Sequence, residues 1–144
     1  MLRQPPFGCL LTDEQGLPIS LSVESASPHE STLLEELIDE AVLPLPKKVR
    51  LLYDKAADSE MLRWMLEVLY QMCLIAPYKR RRNETKARRL PHHQRKAYRN
   101  RYRVERTFAW LKNLRRLQVR HEYDPKNYKG FWMVGILFTM LRRL

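Results

Sequence analysis

The chain opens with strand periodicity. Residues 7–11 make a short, mostly apolar run, and Leu17, Ile19, Leu21 and Val23 recur at every second position among mostly polar neighbours. Asp13-Glu14-Gln15-Gly16 lies between them and reads as a turn, because glycine takes a positive φ at little cost. A β-hairpin is expected. The period then lengthens. Ser27-Pro28-His29-Glu30 is a helix-start signature, with serine at the cap, proline in the first turn and glutamate three residues on. Leu33, Leu34, Leu37, Ile38, Ala41 and Val42 mark one helical face, and the proline-containing segment 43–46 ends it. Residues 49–53 read as a buried strand. Residues 59–72 read as a helix with Met61, Leu62, Met65, Leu69 and Met72 inward, and 74–76 as a short strand closed by Pro77. A basic loop (78–94), a long helix (94–117) and a last helix (126–142) follow. The order β-β-α-β-α-β-α-α predicts an α/β fold with a hairpin at its start.

Size and composition allow one ordinary domain. The chain has 144 residues, 44% of them hydrophobic, enough for a real core. Cys9 and Cys73 are too few for a disulfide framework or a cysteine-rich zinc finger, and they fit a reducing compartment. The longest apolar stretch, 130–141, falls short of the roughly 20 residues of a membrane span. The N-terminus carries no basic-then-apolar signal segment.

Charge changes the picture most. Residues 1–77 hold 6 basic and 12 acidic side chains (net −6), and residues 78–144 hold 21 and 4 (net +17). A polyanion explains such asymmetry, with DNA or RNA first, and a solvated basic face without a partner is the alternative. A membrane-surface role is weak, since the apolar last helix is followed by only Arg142 and Arg143.

On one long helix Tyr98, Arg101, Glu105 and Lys112 would fall within roughly 60° of one another. Val104, Phe108 and Leu111 would form the adjacent packing stripe. A carboxylate among cations suits a hard metal ion beside phosphates. The same spacing also makes ordinary i,i+4 salt bridges. Asp54 follows a predicted buried strand, where ligand sites collect in α/β sheets, although an aspartate there also serves as a turn or helix cap. Asp58 reads as the cap of the helix after it. His29, His92, His93 and His121 show no zinc-like spacing, and His92-His93 suits a solvent or phosphate contact. No Gly-rich phosphate loop and no serine-nucleophile motif is present.

Tyr98-x2-Arg101-x3-Glu105-x6-Lys112 resembles the Y-R-E-K signature of bacterial insertion-sequence DDE transposases. The surrounding YRVERTFAWLKNLRRL (102–117) looks like that family's block around its catalytic glutamate. LLYDKAADS (51–59) is similar to the block holding its second catalytic aspartate, with Tyr53 where alanine is common. LTDEQGLP (11–18) and SASPHE (25–30) match too, so the resemblance covers nearly the whole chain. It implies an RNase H-like fold and two-metal phosphoryl transfer that cuts and joins DNA strands, with two Mg²⁺ ions. Asp54 and Glu105 would be catalytic metal ligands, and Tyr98, Arg101 and Lys112 would hold phosphates of double-stranded DNA at a transposon end. The family's first aspartate lies on a strand ahead of the segment that Phe7 begins, and Asp13 matches only a hairpin-turn aspartate. The expectation is therefore a DDE catalytic domain over 1–144, N-terminally truncated, with a hairpin and α/β part (1–77) and a basic helical part (78–144). Such a chain would be inactive alone, would pair with a missing N-terminal portion, and would work in the bacterial cytoplasm at the nucleoid. The rival expectation is a non-catalytic basic DNA-binding protein, or an inhibitor of a full-length transposase.

Overall fold

The computed structural model describes residues 7–24, 30–86, 88–119, 122 and 124–142. The architecture is mixed α/β, as the pattern predicted, and it divides into two compact units. One combines Met1–Leu43 with Tyr102–Leu144, and the other is Pro44–Arg101.

The first unit is built on a hairpin. Strands β1 (Phe7–Thr12) and β2 (Pro18–Glu24) pair antiparallel with Leu10 opposite Leu21, and the register shifts between Leu11 and Thr12. The Asp13 carboxylate shapes the turn by accepting from the Gln15 and Leu17 N–H groups at 2.9 and 2.7 Å. Gly16 completes it at φ +83°. Helix α1 (Glu30–Asp39) buries Leu34, Leu37 and Ile38. The expected face of this helix extended to Ala41 and Val42, but the helix stops first. The Val42 N–H donates instead to Ile19 O of β2 at 2.9 Å, as the chain extends toward Leu43-Pro44. The predicted cap at Ser27 lies outside the described residues.

Helices α4 (Tyr102–Lys112), α5 (Arg115–Gln118) and α6 (Pro125–Leu141) complete this unit. Leu21 and Val23 join Leu111, Leu117, Tyr128 and Trp132 in its core, with Phe108, Leu114 and Ile136 packed against it. The Trp132 ring meets Phe108 and Tyr128 edge-on, with centroids 6.1 and 6.4 Å apart. Asp124 caps α6 by accepting from the Lys126 N–H at 2.9 Å, and Pro125 opens the first turn.

The second unit is a β-α-β crossover followed by a basic segment. Strands β3 (Arg50–Leu52) and β4 (Cys73–Ile75) are parallel, with Leu51 opposite Leu74. Further bonds at Val49 and Tyr53 continue their pairing over the predicted span. Helix α2 (Glu60–Tyr70) is capped by Ser59, whose Oγ accepts from the Leu62 N–H at 3.3 Å. It ends at Gln71, which adopts the left-handed conformation.

The face expected to be buried holds in part: Leu62, and Met72 just beyond α2, are buried as expected. Leu62 and Leu66 are buried, whereas Met61 and Leu69 are 70% and 66% exposed. The sequence MLRWMLEVL carries two apolar stripes, and the one opposite the strands packs against them. The single helix expected over 94–117 is also divided. Helix α3 (His92–Tyr98) runs into a 3₁₀ turn (Arg99–Arg101), α4 follows, and Leu114 is extended before α5. A 3₁₀ stretch keeps the chain helical while winding it with fewer residues per turn.

Candidate metal and phosphate site

Asp54 stands just beyond the carboxyl end of β3 and caps the 3₁₀ turn Lys55–Ala57. Its backbone is extended, at φ −78° and ψ 178°, which turns the side chain back over that turn. Oδ1 accepts from the Ala56 N–H at 2.6 Å. Oδ2 lies 4.0 Å from Nη2 of Arg101. The Arg101 guanidinium donates through Nη1 to the Tyr98 hydroxyl at 2.8 Å, and its centre is 5.9 Å from that ring's centroid. One oxygen of Asp54 thus caps the turn, as the cap reading expected, and the other faces the Arg101 cation. The second unit gathers Asp54, Arg101 and Tyr98 in one place, although the continuous helical stripe is interrupted. Tyr98 ends α3 and Arg101 ends the 3₁₀ turn.

Glu105 and Lys112 belong to the other unit, in the first and last turns of α4, and both are exposed. The packing stripe beneath them is as expected: Val104 and Phe108 are half-buried and Leu111 is buried. Thr107 docks the helix. Its hydroxyl donates to Gly16 O at 2.6 Å and also lies 3.1 Å from Arg103 O. The Arg106 guanidinium lies over the rings of Tyr102 and Trp110, at 5.6 and 5.0 Å. A hydrogen bond from Arg103 and its charge, with help from Arg106, hold the Tyr102 hydroxyl below its usual pKa of 10.0 against a small opposing effect of burial.

Asp58 is not the cap of α2; Ser59 takes that place. Asp58 instead accepts from Arg63 Nη2 at 3.0 Å and from the Lys79 N–H at 2.6 Å. Arg63 also donates to Leu74 O and Ala76 O, each at 2.8 Å, and lies over the Tyr78 ring at 4.8 Å. This pair ties the end of β4 to the turn that Asp54 begins. The local Asp-Ser spelling gave no sign of Arg63; the one signal was a single cation in α2. His92 and His93 sit exposed in the first turn of α3.

Mg²⁺ keeps several waters and binds through one or two carboxylates with substrate phosphates, rather than through an all-protein cage. The Asp54 side chain is 44% exposed, and its Oδ2, a hard oxygen donor beside a guanidinium that can pair with a phosphate, suits that mode. Among the described residues no group of three or more His, Cys, Asp or Glu gathers, and no helix is long and apolar enough to cross a membrane.

Residues 8–140 match the family model of the transposase DDE domain. No curated protein and no solved structure matches the chain.

Proposed function

The chain belongs to the transposase DDE domain family, and from that premise we propose that it serves the cutting and joining of DNA strands when an insertion sequence moves. It stands in the Y-R-E-K group of that family as the C-terminal part of the catalytic domain. Asp54 and Glu105 would each serve as a ligand to the divalent metal. Tyr98, Arg101 and Lys112 neutralise and position phosphates near the transposon end. Bound Mg²⁺, two ions in the complete site, supplies the positive charge that stabilises the attacking and leaving oxygens.

The observation that carries this reading is the meeting of Asp54, Arg101 and Tyr98. A carboxylate at a strand end, facing a guanidinium anchored on a phenol, can take a cation and a phosphate side by side. The fold implied is RNase H-like, with its first strand and first aspartate supplied from outside this stretch. The site of action would be the bacterial cytoplasm, at the nucleoid.

The test is Glu105→Gln in an enzyme completed with the segment that bears the first aspartate. Mg²⁺-dependent cleavage should be lost while DNA binding persists, because the change keeps shape and removes a metal-binding charge. Cleavage at the parental rate would refute the assignment. The +17 charge of residues 78–144 also favours a second reading, a non-catalytic DNA-binding protein or inhibitor. Only the first reading requires Glu105 for a metal-dependent step.

A further inference from the structure

A carboxylate that is to take a hydrated cation needs an oxygen kept away from strong hydrogen bonds. Asp54 has divided its two. Oδ1 is committed to the Ala56 N–H at 2.6 Å, and Oδ2 is left to Arg101 at 4.0 Å. That distance gives Coulomb attraction without a close hydrogen bond. Arg101 is held from its other side by the Tyr98 hydroxyl at 2.8 Å. The neighbouring cation Lys79 donates through Nζ to the Ala56 carbonyl of the same turn at 2.7 Å. The positive charge facing Oδ2 is thus Arg101, in a side chain only 31% exposed.

We propose that Arg101 is a counter-ion that keeps divalent metal off Asp54 until a nucleic-acid phosphate draws it away. This rests on Asp54 being a metal ligand, as proposed above. Two positive charges cannot both occupy the space beside Oδ2 without repulsion. A guanidinium matches a phosphate with two parallel N–H donors, a better arrangement than its long contact with Asp54. DNA binding then moves the guanidinium onto the phosphate, and Oδ2 becomes available to the metal. Linkage makes the effect reciprocal: DNA tightens metal binding and metal tightens DNA binding by the same factor. Metal would load preferentially where DNA is already in place. The positioning is Arg101's; the ligand is Asp54.

Mn²⁺ serves as the probe, with its free fraction read by electron paramagnetic resonance at fixed salt. The full chain is titrated with and without a short duplex, as the parent, Asp54→Asn, Arg101→Gln and Arg101→Lys. Without DNA, Arg101→Gln should bind Mn²⁺ roughly fivefold tighter than the parent, from loss of one nearby screened charge. Arg101→Lys, which keeps the charge, should stay close to the parent. DNA should tighten Mn²⁺ binding by the parent, measured over the Asp54→Asn baseline, and have little such effect on Arg101→Gln. If Arg101→Gln binds Mn²⁺ no better than the parent while Asp54→Asn loses the site, the counter-ion role is overturned and the ligand assignment stands. If Asp54→Asn binds like the parent, the ligand assignment falls and the counter-ion role with it. Should Arg101→Gln not fold, the parent alone decides: no DNA-dependent gain over the Asp54→Asn baseline overturns the proposal.

Discussion

Replacing Thr107 by valine removes one oxygen from a fully buried position and leaves the side-chain shape nearly unchanged. Thr107 is 0% exposed, and its hydroxyl has a single proton, which the 2.6 Å contact directs to Gly16 O rather than to Arg103 O at 3.1 Å. That bond ties the helix bearing Glu105 to the turn of the hairpin. With valine there is no cavity to charge for, so the cost is the lost hydrogen bond and the desolvated Gly16 carbonyl deprived of this donor. Together these amount to about 1–2 kcal/mol. A cooperative unit of this size loses about 4–8 °C of Tm per kcal/mol. The assay is urea and thermal unfolding followed by fluorescence of Trp132, which lies in the same core, with Trp64 and Trp110 replaced by phenylalanine in both parent and variant. A local readout accompanies it. The Leu17 N–H, bonded to Asp13 Oδ1 at 2.7 Å, should exchange with solvent faster as the turn loosens. A valine variant that melts with the parent and exchanges at the parental rate would refute the docking role of Thr107.

Arg63→Ala should cost about 2–4 kcal/mol in chemical denaturation, because it leaves the Asp58 carboxylate with only the Lys79 N–H and takes a donor from two β4-end carbonyls at once; a loss below 1 kcal/mol would show that water replaces the guanidinium freely. Tyr102 should ionise below 10.0 in a spectrophotometric titration, and Arg103→Gln should move it back up. Because the folded pKa is the lower one, any gain in stability is full above the unfolded value and disappears as pH falls through the folded value. At neutral pH the Arg103 variant should therefore show no stability change from this source, and a Tyr102 titration unaffected by Arg103 would contradict the cause given.

Local chemistry made some features legible in the sequence. The hairpin followed from alternation and from an aspartate and a glycine in the turn, all within a few residues. Asp54 stood out because a buried strand ended beside it. Its facing cation was named too, but as part of a helical stripe; that Arg101 reaches Asp54 depends on tertiary placement that spacing does not encode. The 3₁₀ turn at Arg99–Arg101 had no proline or glycine to announce it. On α2, two apolar stripes competed, and only packing against the strands could choose Leu62 and Leu66 over Met61 and Leu69. The expected cap at Asp58 fails for a related reason. A good local cap spelling outweighed a partner on the next helix turn, and Ser59 supplied the cap instead.

The first unit is interrupted in sequence: the chain leaves it at Leu43 and returns only at Tyr102. This bears on the order in which the molecule can form. On a ribosome the hairpin and α1 emerge early, yet Leu21 and Val23 have no core until Leu111, Leu117, Tyr128 and Trp132 arrive. The intervening β-α-β crossover closes over shorter loops and can settle first, since contacts near in sequence are the cheaper ones to form. Through much of synthesis the hairpin therefore carries an uncovered apolar face and open strand edges, the condition in which chaperones bind and strands pair wrongly. Slow translation of residues 44–101 would prolong that interval, making expression temperature and chaperone supply, rather than final stability, the control on soluble yield.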